Sequence, residues 1–90
     1  PQAVHFQEVQ LHELLEQVST LLKTNAVLSN IDLKQPCKRQ DAGAILADAN
    51  QMKQLFINLI KNAIEAMPEG GSIDIATEKV LNEWKITIQD

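Results

Sequence analysis

Apolar residues recur at helical intervals through HELLEQVSTLLKTNAVL, where Leu14, Leu15, Val18, Leu21, Leu22 and Ala26 share one side, and predict a first amphipathic helix from His12. Ahead of it, Pro1 to His5 reads as a lead-in, and Phe6, Val9 and Leu11 predict a short, irregular first strand. Ser29 and Asn30 break the helix, and Ile31 and Leu33 open a second strand that Pro36 ends or confines to a sheet edge. Lys38 to Gly43 is polar and loop-like, and the apolar run Ala44, Ile45, Leu46, Ala47 suits a buried strand. A long helix follows, opened by Asp48 with Gln51 three residues on in the manner of a capping box, and stopped by Pro68 and Gly70-Gly71. SIDIATEKV and WKITIQD then alternate apolar and polar residues about the Leu81-Asn82-Glu83 turn, a hairpin with Ile73, Ile75, Trp84, Ile86 and Ile88 toward the helices. The order predicts an α+β fold, a two-layer α/β sandwich with two helices on one face of a mixed sheet of about five strands. There is no internal repeat and no low-complexity segment.

The helix from Asp48 onward carries the most chemistry. At roughly 100° per residue, Gln51, Gln54, Asn58, Lys61, Asn62 and Glu65 fall within about 60° of one line. Apolar residues take most of the remaining circumference, which predicts a largely buried helix, with Lys53 the one misfit on that side. An ordinary solvated stripe is filled with Lys and Glu; this one is mostly amides, although Asn costs a helix roughly half a kcal/mol relative to Ala. Asn58 and Asn62, one turn apart, present two neutral carbonyl oxygens, each beside an NH2 group. Such a pair suits a hard cation carrying phosphates, because Mg2+ takes few protein oxygens and completes its shell from water and phosphate. From spacing alone, the alternative is a buried amide pair bonded to a neighbouring strand.

Ninety residues are enough for one small domain or part of one, and 44% hydrophobic residues with only Phe6, Phe56 and Trp84 as aromatics give an aliphatic core. A net charge of −4, with no basic cluster beyond Lys38-Arg39, argues against nucleic acid and anionic membranes as partners. A lone Cys37, read as a small half-buried residue, fits a reducing compartment. No apolar run approaches the ~18 residues of a spanning helix and no signal stretch opens the chain, so a cytoplasmic location is expected.

Other constellations fall away. His12-Glu13 lacks the second His of a zinc-protease helix, since residue 16 is Glu. His5 and His12 read as surface residues without a Ser or Cys partner, and Glu8, Glu13 and Glu16 as a solvated acidic side of the first helix. Gly70-Gly71 lacks both the lysine-bearing phosphate loop and the dinucleotide fingerprint.

Asn58-Leu59-x-x-Asn62-Ala63-x-x-Ala66, preceded by Gln54 and followed by Met67-Pro68-x-Gly70-Gly71, closely resembles the N box of sensor histidine kinases, and LIKNAIEAMPEGG looks most like the nitrogen-regulation and sporulation types. With the flanking strands the resemblance covers nearly the whole chain. It implies a partial Bergerat-type ATP-binding (catalytic) domain over residues 1–90, with ATP and Mg2+ as cofactors. On that resemblance Asn62 is the chief Mg2+ ligand, Asn58 lies against the phosphates and metal waters, and Lys61 is a weaker phosphate neighbour. Glu65 stands where some relatives carry a basic residue that reaches the terminal phosphate, a departure that leaves a water-mediated acidic role. Asp90, ending WKITIQD, takes the place of the Asp of the Asp-x-Gly-x-Gly motif that recognises the adenine amino group.

The lid and glycine motifs of the family are expected beyond residue 90, and no residue here is expected to be catalytic by itself. HELLEQ lacks the Asn- or Thr-Pro that follows the phosphoacceptor His-Glu in the family. The implied partners are therefore a separate dimerisation and phosphoacceptor domain and a response regulator. A serine kinase or other ATPase of the same fold is the alternative within the fold. A non-enzymatic, self-associating interaction module is the alternative of another class, since an uncovered strand edge or apolar face invites association.

Overall fold

The helical spacing of the first apolar run is realised as α1 (Leu11–Leu28), which contains neither Gly nor Pro and follows directly on β1 (Gln7–Gln10). The computed structural model describes residues 3–38, 44–81 and 83–89. After α1 come β2 (Ile31–Leu33), β3 (Cys37–Lys38), β4 (Ala44–Ala47), α2 (Ala49–Glu65), β5 (Gly71–Val80) and β6 (Glu83–Gln89). The chain is α+β, with both helices and one face of the larger sheet sharing a single core.

β5 is the spine of that sheet. β2 and β3 run parallel to it along one edge, pairing Ile31 with Gly71 and Cys37 with Ala76, while β6 lies antiparallel on the other edge, pairing Ile75 with Ile88. β2 and β3 thus form an edge strand interrupted around the buried Pro36, which has no N–H to give to a ladder. β3 was not expected from the sequence, because two residues are too short to show alternation. β1 and β4 form a separate antiparallel ribbon with Val9 opposite Ile45, so the strands divide between two sheets. Only one side of that ribbon meets the core, which is why Leu46 is 71% exposed where the sequence predicted a buried strand. Phe6 lies just ahead of β1 and is also exposed.

Two turns are stitched together where the helices return to the sheet. Asn30 closes α1 in the left-handed region (φ 58°), and its carbonyl oxygen accepts from the Gly71 N–H at 3.2 Å. Gly70 (φ 91°) comes so close that a Cβ there would lie 2.6 Å from the same oxygen, which only glycine avoids. This contact starts β5 beside β2. The two-residue link between β5 and β6 turns at Leu81 (φ 57°).

The core is aliphatic, as composition predicts. Leu15, Val18, Ala26, Phe56, Ile60, Ile73 and Ile75 are almost wholly buried, and Trp84, Ile86 and Ile88 pack half-buried against them. Each large side chain so buried contributes about 1.5–3 kcal/mol. Leu21, expected on the apolar side of α1, is exposed, as is Cys37. His12 is less exposed than a surface residue: its Nε2 meets Glu16 Oε1 at 2.8 Å, and its Nδ1 is buried without a partner among the described residues. Of the acidic residues read as one side of the first helix, Glu8 belongs to β1, and all three are exposed.

Candidate functional site

The candidate site is built on α2, and α2 is fixed first at its N-terminus. Asp48 is extended (φ −88°, ψ 111°), so its carboxylate folds back to accept from the N–H groups of Asn50 and Gln51, at 3.0 and 3.1 Å through Oδ1. Its Oδ2 accepts from the His5 N–H at 3.0 Å, tying the segment before β1 to the helix start. These donors, that of His5 foremost, hold the Asp48 carboxyl below the ordinary aspartate range. The cap is one-sided: among the described residues Gln51 returns no bond to Asp48. The contact with His5, 43 residues away, left no signal in the sequence.

From this cap, burial rather than polarity aims the helix. Phe56, Ile60 and Ile64, at four-residue spacing, enter the core. Ile57 and the half-buried Lys53 meet Gln17, Val18 and Leu21 of α1 along the helix–helix groove. Ala49, Met52 and Ala63 pack half-buried beside that row, and the side opposite it is open. Gln54, Asn58, Lys61, Asn62 and Glu65 are all exposed, as the stripe predicts. Leu55 and Leu59 are 49% and 44% exposed, contrary to a largely buried helix, because no described element packs on the side they share with Asn62.

The open face divides. Lys61 and Glu65 line a recess with Asn25 and Ser29 at the end of α1, together with Ile64. Asn58 and Asn62 stand outside that recess on the free face. Neither is a buried amide bonded to a strand, the alternative that spacing left open; the Asn58 Oδ1 instead accepts from Gln54 Nε2 at 3.1 Å. Gln54 was placed on the stripe by sequence but given no role, although amides four apart on a helix are a recognisable pair. It also lines a polar depression with His5, Asp48, Asn50 and Gln51 at the helix start. The face therefore offers neutral carbonyl oxygens and N–H donors with no carboxylate between Asn58 and Asn62, and among the described residues no three His, Cys, Asp or Glu side chains converge. Asp90 lies outside the described residues.

No family model matches the chain. It is 51% identical over all 90 residues to Sporulation kinase C of Bacillus subtilis (strain 168), spanning 21% of that protein's length. The catalytic domain of histidine kinase ThkA superposes with a TM-score of 0.84 at 32% identity, covering 93% of this chain and 56% of the other. A structure of ThkA in complex with the response regulator protein TrrA matches with a TM-score of 0.83 at 32% identity, over 94% of this chain and 25% of that one. By sequence and by fold, over the segment it matches, the chain belongs to the catalytic-domain family of sensor histidine kinases.

Proposed function

We propose that the chain is the N-terminal part of the ATP-binding catalytic domain of a sensor histidine kinase. In the full-length kinase this domain binds Mg-ATP and presents the γ-phosphoryl group to a histidine of the dimerisation domain, for relay to a response-regulator aspartate. The observation that carries the reading is the exposed Asn58–Asn62 pair, one turn apart on the free face of a helix whose opposite side is locked into the core.

The residues present fit a metal–nucleotide. Two exposed neutral amides do not repel a polyphosphate, and Mg2+ is commonly held by one or two protein groups plus phosphate oxygens and water. Asn62 would hold the metal through its carbonyl oxygen, and Asn58 would lie against the phosphates. Lys61, turned toward the end of α1, is the more distant phosphate neighbour, and Glu65 beside it acts on water rather than on phosphate directly. Asp90 would recognise the adenine amino group. When bound, Mg-ATP supplies the phosphoryl group and the charge neutralisation that phosphoryl transfer needs; this chain's residues bind and orient.

Calorimetry on the full-length kinase tests the reading. Asn62→Ala is expected to lower Mg-ATP affinity by more than about tenfold, and unchanged affinity would remove Asn62 from the site. The 90-residue chain alone is expected to bind ATP weakly or not at all, and tight Mg-dependent binding by it would show that the lid and glycine motifs matter less than the reading requires.

A further inference from the structure

The Gln54–Asn58 bond does more than join two side chains on a helix face. A carboxamide carries its oxygen and its NH2 on opposite sides of one planar group, so a partner that claims the oxygen also aims the NH2. Gln54 Nε2 claims the Asn58 oxygen from the N-terminal side at 3.1 Å, which turns the Asn58 NH2 away from Gln54. Among the described residues the Asn62 amide has no side-chain partner, and its oxygen stays free.

The geometry points to Gln54 as a positioning residue that makes Asn58 an N–H donor to a phosphate oxygen and leaves Asn62 as the amide-oxygen ligand of the cation. Without Gln54, the two asparagines are chemically equivalent, and either oxygen competes for the metal. With it, one amide serves the anion and the other the cation. The inference rests on the Mg-ATP reading above and adds to it the orientation of one side chain and the residue that sets it.

A double-mutant cycle on the full-length kinase, read as ATP affinity with Mg2+ and with EDTA, tests this. Gln54→Met, which keeps length but removes the donor, is expected to weaken ATP binding about threefold under both conditions, since an amide-to-phosphate contact does not need the metal. In an Asn58→Ala background the same substitution is expected to change nothing. Gln54→Lys, a donor with no acceptor, should retain the coupling to Asn58, whereas Gln54→Glu, an acceptor with no donor, should lose it. Through-space charge effects of Lys and Glu persist in the Asn58→Ala background and so cancel in the cycle. Equal effects of Gln54→Met with and without Asn58, or coupling retained by Glu and lost by Lys, would overturn the assignment. Loss of affinity only in the presence of Mg2+ would also overturn it, by making Asn58 a metal ligand. Failure of the unsubstituted kinase to bind Mg-ATP would instead bring down the function reading, and this inference with it.

Discussion

α1 buries seven of its 18 residues and α2 only three of 17, yet α2 is the helix with the side-chain cap. The first helix is held all along its length by core contacts from Leu11 to Ala26, and its start needs no capping side chain. The second sends only Phe56, Ile60 and Ile64 fully into the core, with Ala49, Met52, Ile57 and Ala63 half-buried beside them, and is held at its end by Asp48. A helix buried on a wide stripe has little surface left for ligands. One secured by a few fully buried side chains and a cap keeps a whole polar side free without losing its place, and the amides stand on that free side.

If that division holds, the largest effect comes from the row itself. Ile60→Ala, at a site with no exposed surface, should cost about 2–5 kcal/mol of stability in urea unfolding. A cost under about 1 kcal/mol would mean that α2 is held by something other than its buried row. On the free side the expected split is reversed. Asn62→Ala removes an exposed polar residue from a helix, so its stability should change by no more than about 0.5 kcal/mol, or improve slightly. Mg-ATP affinity of the full-length kinase should nonetheless fall by more than about tenfold, the scale of contacts to charged groups. Parallel losses of stability and affinity would show that Asn62 belongs to the scaffold.

The sequence shows the two sides of α2 unequally, for physical reasons. Periodicity locates both helices, the hairpin and the Asp48 cap because these depend on neighbours within a few residues. The exposed amides Asn58 and Asn62 are legible for the same reason: their helix cost is local and unexplained by burial. What lies across the chain is not. The meeting of His5 with Asp48, the close approach of Gly70 to Asn30, and the separation of the β1–β4 ribbon from the main sheet depend on tertiary placement. Exposure of Leu55, Leu59 and Leu46 is invisible for a related reason, since hydrophobicity predicts that a residue should be covered but not by what.

The cap sharpens the contrast through pH. The Asp48 carboxyl titrates below the ordinary aspartate range because three backbone N–H groups bond its ionised form. A depressed carboxyl contributes stability that is fully present above its unfolded value and is lost as pH falls through the lower folded value. The melting temperature of the chain should therefore fall below about pH 4 more steeply than that of Asp48→Asn, which keeps an oxygen acceptor for the helix N–H groups but has no charge to lose. Asp48→Ala should be less stable than either at neutral pH, by less than Ile60→Ala. Identical acid profiles for the unsubstituted chain and Asp48→Asn would show that the cap works without its charge.

A small effect is expected one residue from the largest. Leu59 precedes the fully buried Ile60, but turned about 100° round the helix it lies on the open side, 44% exposed beside the amides. Leu59→Gln should cost the 90-residue chain less than about 1 kcal/mol, because much of the side chain is already in water. It also removes part of the exposed apolar surface of α2, so any concentration dependence in sedimentation should weaken in this variant. A penalty approaching that of Ile60→Ala would mean that the open face is covered in solution. If the penalty also rose with concentration, a second copy would be what covers it.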